Sequence, residues 1–177
     1  FIGYVSPPLH DYFRADEENR DMDILVHTRK QNTYCLERLV PSLRSLKNRR
    51  LHIIDEWINQ KDFAALLART KVFLYCTAPH KAGWRRKLPG EGFGLPALEA
   101  LASGCTVASN LLGGVTDFLT PGENCVKIES ESLEDDVRRI ENALRTFSPN
   151  KGAAEKIREE YSADKIGGQW KKILKMI

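Results

Sequence analysis

The sequence predicts an α/β domain built on a doubly wound, Rossmann-like parallel sheet. Three features point there. Five short apolar runs are spread along the chain. Helix-forming stretches with recognisable caps separate them. A glycine-rich turn opens a helix after the third run.

Residues 1–23 read as an interdomain linker, with Pro7-Pro8 and then an acidic patch from Asp16 to Asp23. The domain proper is predicted over 24–177. A first buried strand is predicted at 24–28. Asn32 or Thr33 can cap a helix reaching about Asn48, with Leu36, Leu39, Leu43 and Leu46 on one face and a kink at Pro41. Residues 51–55 form a second strand, and Asn59 caps a helix over 60–69. The third strand is 72–76. A polar, basic loop over 77–90 follows it.

Pro96 suits the first turn of a helix that reaches Ser103 and is ended by Gly104. The fourth strand is 106–109. A short helical turn at 115–119 leads through Pro121-Gly-Glu-Asn124 to a fifth strand at 126–128. Helices at 133–146, 151–161 and 163–176, the last capped by Ser162, complete the chain. Trp170 sits beside Ile166 and Ile173 in the last helix, where core packing is expected.

Composition narrows the function. The chain has 177 residues, 42% hydrophobic and 29% charged, so it can fold as one domain. Lys and Arg number 27 against 24 Asp and Glu, a formal net charge of +3 that is too small to indicate nucleic acid. No apolar run has the length of a membrane span, and no signal-peptide pattern opens the sequence. Because residue 1 is Phe, the chain is expected to be a piece of a longer or processed protein. Cys35, Cys76, Cys105 and Cys125 form no CxxC pair, and Cys76 and Cys105 lie in apolar strand-like runs, which predicts buried free thiols there and a reducing, cytoplasmic setting. Neither they nor the four histidines show metal-ligand spacing. Asp21-Met-Asp23 is a D-x-D, but it precedes a strand, so a solvated linker is the expected reading and no metal is implied.

The chemistry is concentrated in Glu91-Gly-Phe-Gly-Leu-Pro-Ala-Leu-Glu99. Gly92 and Gly94 allow backbone N–H groups to approach a ligand. The helix start supplies unpaired donors and the positive end of its dipole, a site for phosphate. Side chains on a helix lean toward its N-terminus, so Glu99, about one turn in, can reach back to the same ligand. Glu91 stands on the other side. Two acceptors flanking an anion site suit a nucleoside diphosphate sugar, which carries hydroxyls on both sides of its diphosphate.

The same segment resembles the E-x7-E signature of retaining glycosyltransferases of the GT-B fold, especially glycosyltransferase family 4. The resemblance continues through Val107-Ala-Ser-Asn-Leu-Leu-Gly113-Gly114-Val-Thr-Asp117 and Pro121-Gly-Glu-Asn124. It implies that the chain is the C-terminal, donor-binding half of a GT-B enzyme. Glu91 would bind donor-sugar hydroxyls. Backbone amides of Gly92, Phe93, Gly94 and Leu95 would meet the sugar or diphosphate. Glu99 would hold the ribose hydroxyls. Arg29 and Lys30, after the first strand, would clamp the diphosphate, although the family's pair is more widely spaced and preceded by glycine. Trp57, in a region that lines the family's nucleobase pocket, would lie near the base or in the core. The sugar would pass with retention to a glycan or lipid-linked acceptor in polysaccharide or glycoconjugate synthesis. The acceptor would be bound by an N-terminal domain absent from this chain, so the isolated fragment is expected to be inactive. No cofactor or metal is implied. A related nucleotide-sugar epimerase, a phosphorylase, a non-catalytic sugar-nucleotide-binding module and a generic α/β interaction domain remain alternatives.

The basic stretch from His80 to Lys87 is an insertion relative to the family. It reads as a flap over donor phosphates, a contact for an anionic acceptor at a membrane surface, or a solvated loop. The protein is thus expected to be cytoplasmic, with peripheral membrane contact left open and no nucleic-acid partner.

Overall fold

The computed structural model describes residues 5–15, 20–29, 31–78, 80–82, 86–88 and 92–175, with only the backbone described at 80–82 and 86–88. The elements run β1 (Met22–His27), α1 (Val40–Arg44), β2 (Leu51–Ile54), α2 (Gln60–Ala68), β3 (Thr70–Tyr75), β4 (His80–Ala82), β5 (Arg86–Leu88) and α3 (Leu95–Ala102). They continue with β6 (Thr106–Ser109), β7 (Cys125–Lys127), α4 (Leu133–Arg145), α5 (Lys151–Glu160) and α6 (Ala163–Leu174). Five strands form one parallel sheet in the order β2-β1-β3-β6-β7. The expected fold class is therefore observed.

Alternation along the strands builds two cores. Leu25, Phe73, Tyr75 and Val107 face α2, α3 and α5, through Phe63, Leu67, Leu98 and Ile157. Ile24, Val26, Val72, Leu74 and Ala108 face the opposite layer, through Leu39, Leu43, Ile140 and Leu144. The central strands are apolar on both faces, as a sheet covered by helices on each side requires.

Local signals account for the helix starts. Asn59, Ser132, Asn150 and Ser162 each accept a backbone N–H from three residues on. The helix after β1 departs from expectation. Residues 33–44 are helical, but Cys35–Leu39 widen into a π-helical turn just before Pro41. A proline in a regular α-helix clashes with the carbonyl four residues back, and the wider turn moves that carbonyl aside. The buried face becomes Cys35, Leu39, Val40 and Leu43, while Leu36 is left exposed. The helix also stops at Arg44, short of Asn48, which takes a left-handed conformation with φ 64°.

Three other expectations are corrected. β1 begins at Met22, two residues early, because the Asp23 carboxylate is satisfied by the Arg50 N–H at 3.0 Å and by Lys71 Nζ at 2.8 Å. Asp21 accepts a two-pronged contact from Arg69, at 2.8 and 2.6 Å, whose hydrogen bonds hold its pKa below the usual carboxylate range. The D-x-D thus pins the amino-terminal end of the sheet instead of lying in a solvated linker. Within the predicted basic loop, β4 and β5 form an antiparallel hairpin. Trp170 is half exposed, since only Ile166 of α6 is buried.

The segment preceding β1 packs on the domain. Leu9 and Phe13 are buried with the α2/α3/α5 layer, and the Leu9 N–H donates to the Tyr161 carbonyl at 2.8 Å. All four cysteines are free and buried. Burial pushes the Cys105 thiol up to about 12, which leaves it unreactive. Among the described residues no helix is long and apolar enough to cross a membrane.

The Phe13→Ala variant is expected to lose about 3–5 kcal/mol of stability in urea unfolding, the range for emptying a buried aromatic site. A loss below about 1 kcal/mol would show that residues 5–15 only rest on the surface.

Candidate functional site

In this strand order the chain reverses direction across the sheet between β1 and β3, and ligands of open parallel sheets bind beyond the carboxyl ends at such a point. The loops after β1, β3 and β6 meet there and are cross-linked by amide side chains. Gln31, 8% exposed, donates from Nε2 to the carbonyls of His27 and Leu74 at 2.9 and 3.1 Å. Its Oε1 accepts the Cys76 N–H at 2.7 Å. Asn110 Oδ1 accepts the Thr77 N–H at 3.1 Å, and its Nδ2 donates to the Thr77 carbonyl at 2.9 Å. Thr77 Oγ1 donates to the Leu112 carbonyl at 3.3 Å. One lattice of hydrogen bonds therefore fixes three loops that would otherwise be held only at their strand ends.

The glycine turn leans on this rim. Gly94 is the N-cap of α3 with φ 92°, a left-handed conformation that glycine adopts without strain. Gly114, after β6, packs against the backbone of Gly92 and Phe93. A Cβ there would collide with the Gly92 carbonyl oxygen and lie 2.9 Å from Phe93 Cα. The Phe93 ring turns inward to Phe118 and Tyr161, with centroids 5.6 and 5.8 Å apart. Phe93 can thus offer its backbone, but not its ring, to a ligand.

At the start of α3 the N–H groups of Ala97 and Leu98 return to the Gly94 carbonyl, and Pro96 has none. The Leu95 N–H has no partner among the described residues, so it forms a donor at the positive end of the helix dipole. Glu99 is 6% exposed, and its carboxylate has no hydrogen bond or ion pair among the described residues. Desolvation alone pushes its pKa up to about 7. A buried carboxylate without a donor is a costly feature that a ligand bearing hydroxyls would relieve.

The other predicted site residues are distributed as follows. Arg29 is exposed in the loop after β1, with no partner among the described residues. Trp57 is 77% exposed beyond β2, which removes the core reading but leaves it two strands from β3. Lys30 and Glu91 lie outside the described residues. Gln31 and Asn110 were not legible as site residues. The only available signal was an amide side chain just past the end of a strand. A groove of about 760 Å³ beside β7, α4 and α5 contains none of these side chains. Among the described residues no group of three His, Cys, Asp or Glu side chains could hold a metal ion.

Two outcomes follow from this geometry. Because the Glu99 pKa is raised on folding, the folded state holds a proton that the unfolded state releases, and stability falls as pH rises from about 4.5 to about 7. Glu99→Gln should therefore stabilise the ligand-free chain at pH 8, by up to about 3 kcal/mol, and have little effect at pH 4.5 in urea unfolding. Gly114→Ala should cost about 1–3 kcal/mol, because the neighbour that must move is backbone. Gly168→Ala, which opens into free space in α6, should be neutral or mildly stabilising in the same assay.

Comparison with known proteins accords with this arrangement. The family model described as glycosyl transferases group 1 matches residues 36–160, a span that includes the glycine turn and Glu99. Three solved structures share the fold. AviGT4, a glycosyltransferase involved in avilamycin A biosynthesis, is 12% identical with a TM-score of 0.67, over 97% of this chain and 57% of its own. The pneumococcal O-GlcNAc transferase GtfA, solved with UDP and GlcNAc, is 12% identical with a TM-score of 0.63, over 96% of this chain and 38% of its own. The C-terminal domain of the glycosyl transferase group 1 family protein LpcC from Francisella tularensis is 17% identical with a TM-score of 0.55, over 86% of this chain and 97% of its own. No curated protein matches the chain. The sheet, the glycine turn and the family match together show that this chain belongs to the glycosyl transferases group 1 family, with the fold of a GT-B C-terminal domain.

Proposed function

We propose that this chain is the donor-binding half of a retaining glycosyltransferase of the family 4 type. It binds a nucleoside diphosphate sugar at the tip of α3. The acceptor, a glycan or a lipid-linked saccharide, is held by a second domain outside these 177 residues. The observation that carries the reading is the buried Glu99 carboxylate, lacking a donor among the described residues and set one turn inside the helix that begins at Gly94.

In this reading Glu99 accepts hydrogen bonds from the ribose hydroxyls. The Leu95 N–H and its neighbours in the glycine turn receive the diphosphate or the sugar. Arg29 and Lys30 balance the diphosphate charge, Glu91 holds donor-sugar hydroxyls, and Trp57 flanks the base. The bond from the anomeric carbon to the diphosphate oxygen breaks, and the acceptor oxygen forms its bond on the same face. The acceptor proton passes to a phosphate oxygen. No protein nucleophile or metal is needed for this sequence. Fixed donors aimed at the departing diphosphate carry most of the acceleration, and losing one costs on the order of 10²–10³ in rate.

The test is thermal unfolding of the chain with UDP-, GDP-, ADP- and dTDP-sugars. One donor class should stabilise the fold by about 2.7 kcal/mol at a hundred times its dissociation constant. The shift should vanish in Glu99→Ala. It should also grow as pH rises through about 7, since only the ionised Glu99 offers both oxygens as acceptors. Equal shifts in both proteins, or none with any donor, would overturn the reading.

A further inference from the structure

His27 is the last residue of β1, at the carboxyl end of the sheet. Strand alternation puts its side chain on the same face as Leu25, the face covered by α2 and α3. Its ring lies 6.0 Å from that of Phe63 in α2, tilted by 43°. Its carbonyl is fixed by Gln31 Nε2 at 2.9 Å. The residue reaches the surface of the rim, yet its Nε2 is buried and has no hydrogen-bond partner among the described residues. Two other buried side-chain atoms share that condition, Arg20 Nε and Ser103 Oγ, and both lie at the opposite end of the sheet. A buried ring nitrogen without a partner costs free energy, and a ligand that pairs with it recovers that cost.

The shape of the rim says which part of a donor would meet this ring. On its β6 side the tip of α3 is closed. Gly114 lies against the backbone of Gly92 and Phe93, and the Phe93 ring fills the space toward Phe118 and Tyr161. A donor with its diphosphate at that tip and its ribose at Glu99 therefore sends its base the other way, toward β1 and α2. His27 stands on that side. We propose that His27 is a specificity-determining contact of the donor site, where its neutral imidazole hydrogen-bonds the edge of the nucleobase. Burial, and Arg29 close by, hold the ring's pKa below the usual histidine value, so it is uncharged at neutral pH. One nitrogen then donates and the other accepts, which suits an edge that carries both kinds of group. A half-turn about the Cβ–Cγ bond exchanges Nε2 with Cε1 and brings that nitrogen to the other edge of the ring. The inference rests on the donor reading above and adds to it the residue that tells one base from another.

The experiment is calorimetric titration of the chain with UDP, GDP, ADP and the base-free probe ribose 5-phosphate. The wild-type chain should prefer one base. In His27→Phe the preferred nucleotide should lose about tenfold in affinity, the worth of one hydrogen bond to a ligand. The other nucleotides and ribose 5-phosphate should keep their affinities, so the preference flattens. An apolar ring beside Phe63 removes the unpartnered nitrogen, so the thermal midpoint of His27→Phe should hold or rise. His27→Gln places an amide nitrogen where Nε2 was and should keep part of the preference. Glu99→Ala, in contrast, should weaken all four ligands together.

A base preference that survives His27→Phe would overturn this inference and leave the donor reading standing. Equal weakening of the nucleotides and of ribose 5-phosphate in His27→Phe would also overturn it, because the ring would then only support the site. Absence of nucleotide binding by the wild-type chain would overturn the donor reading, and this inference with it.

Discussion

The contact between Gly114 and the backbone of Gly92 and Phe93 sets the geometry of the whole rim. Two chain segments approach so closely there that no side chain fits between them. One segment ends β6, and the other begins α3. Their contact fixes the tip of α3 relative to the sheet, and with it the direction of the helix dipole and the depth of Glu99. The amide lattice of Gln31, Thr77 and Asn110 extends the same constraint to the loop after β1. The backbone donors at the tip of α3 are thereby held in one arrangement.

The energetics of Glu99 run against folding and in favour of binding. Its carboxylate is largely buried with no donor among the described residues, and that burial raises its pKa to about 7. Elsewhere in the chain buried carboxylates are satisfied. Asp136 accepts from Tyr34 Oη at 2.8 Å and from the N–H groups of Glu129 and Ser130 at 3.1 and 3.0 Å. Asp23 has Arg50 and Lys71. The contrast separates carboxylates that hold the fold together from one that has no such role among the described residues.

Much of this fold was legible because its signals are local. The apolar runs located all five strands of the sheet, and Asn59, Ser162 and Gly104 marked helix ends through capping chemistry that needs only a few neighbouring residues. The place of Glu99 inside α3 was legible because its spacing from the glycine turn is a helical distance. What escaped depends on contacts between distant segments. Gln31 and Asn110 matter through hydrogen bonds across 45 and 33 positions, which no local pattern encodes. The π-helical turn before Pro41 arises from one residue's geometry acting on a full turn. The β4–β5 hairpin lacks the apolar alternation that betrays a strand, and Trp170 stays half exposed because only Ile166 of α6 is buried.

Tyr161 joins two parts of the molecule that the sequence keeps far apart. Its carbonyl receives the Leu9 N–H, and its ring lies against Phe93. The segment entering the domain and the turn that opens α3 therefore share a single mechanical fulcrum. Through one hydrogen bond and one aromatic contact, a single residue sets the position of both the segment ahead of β1 and the tip of α3.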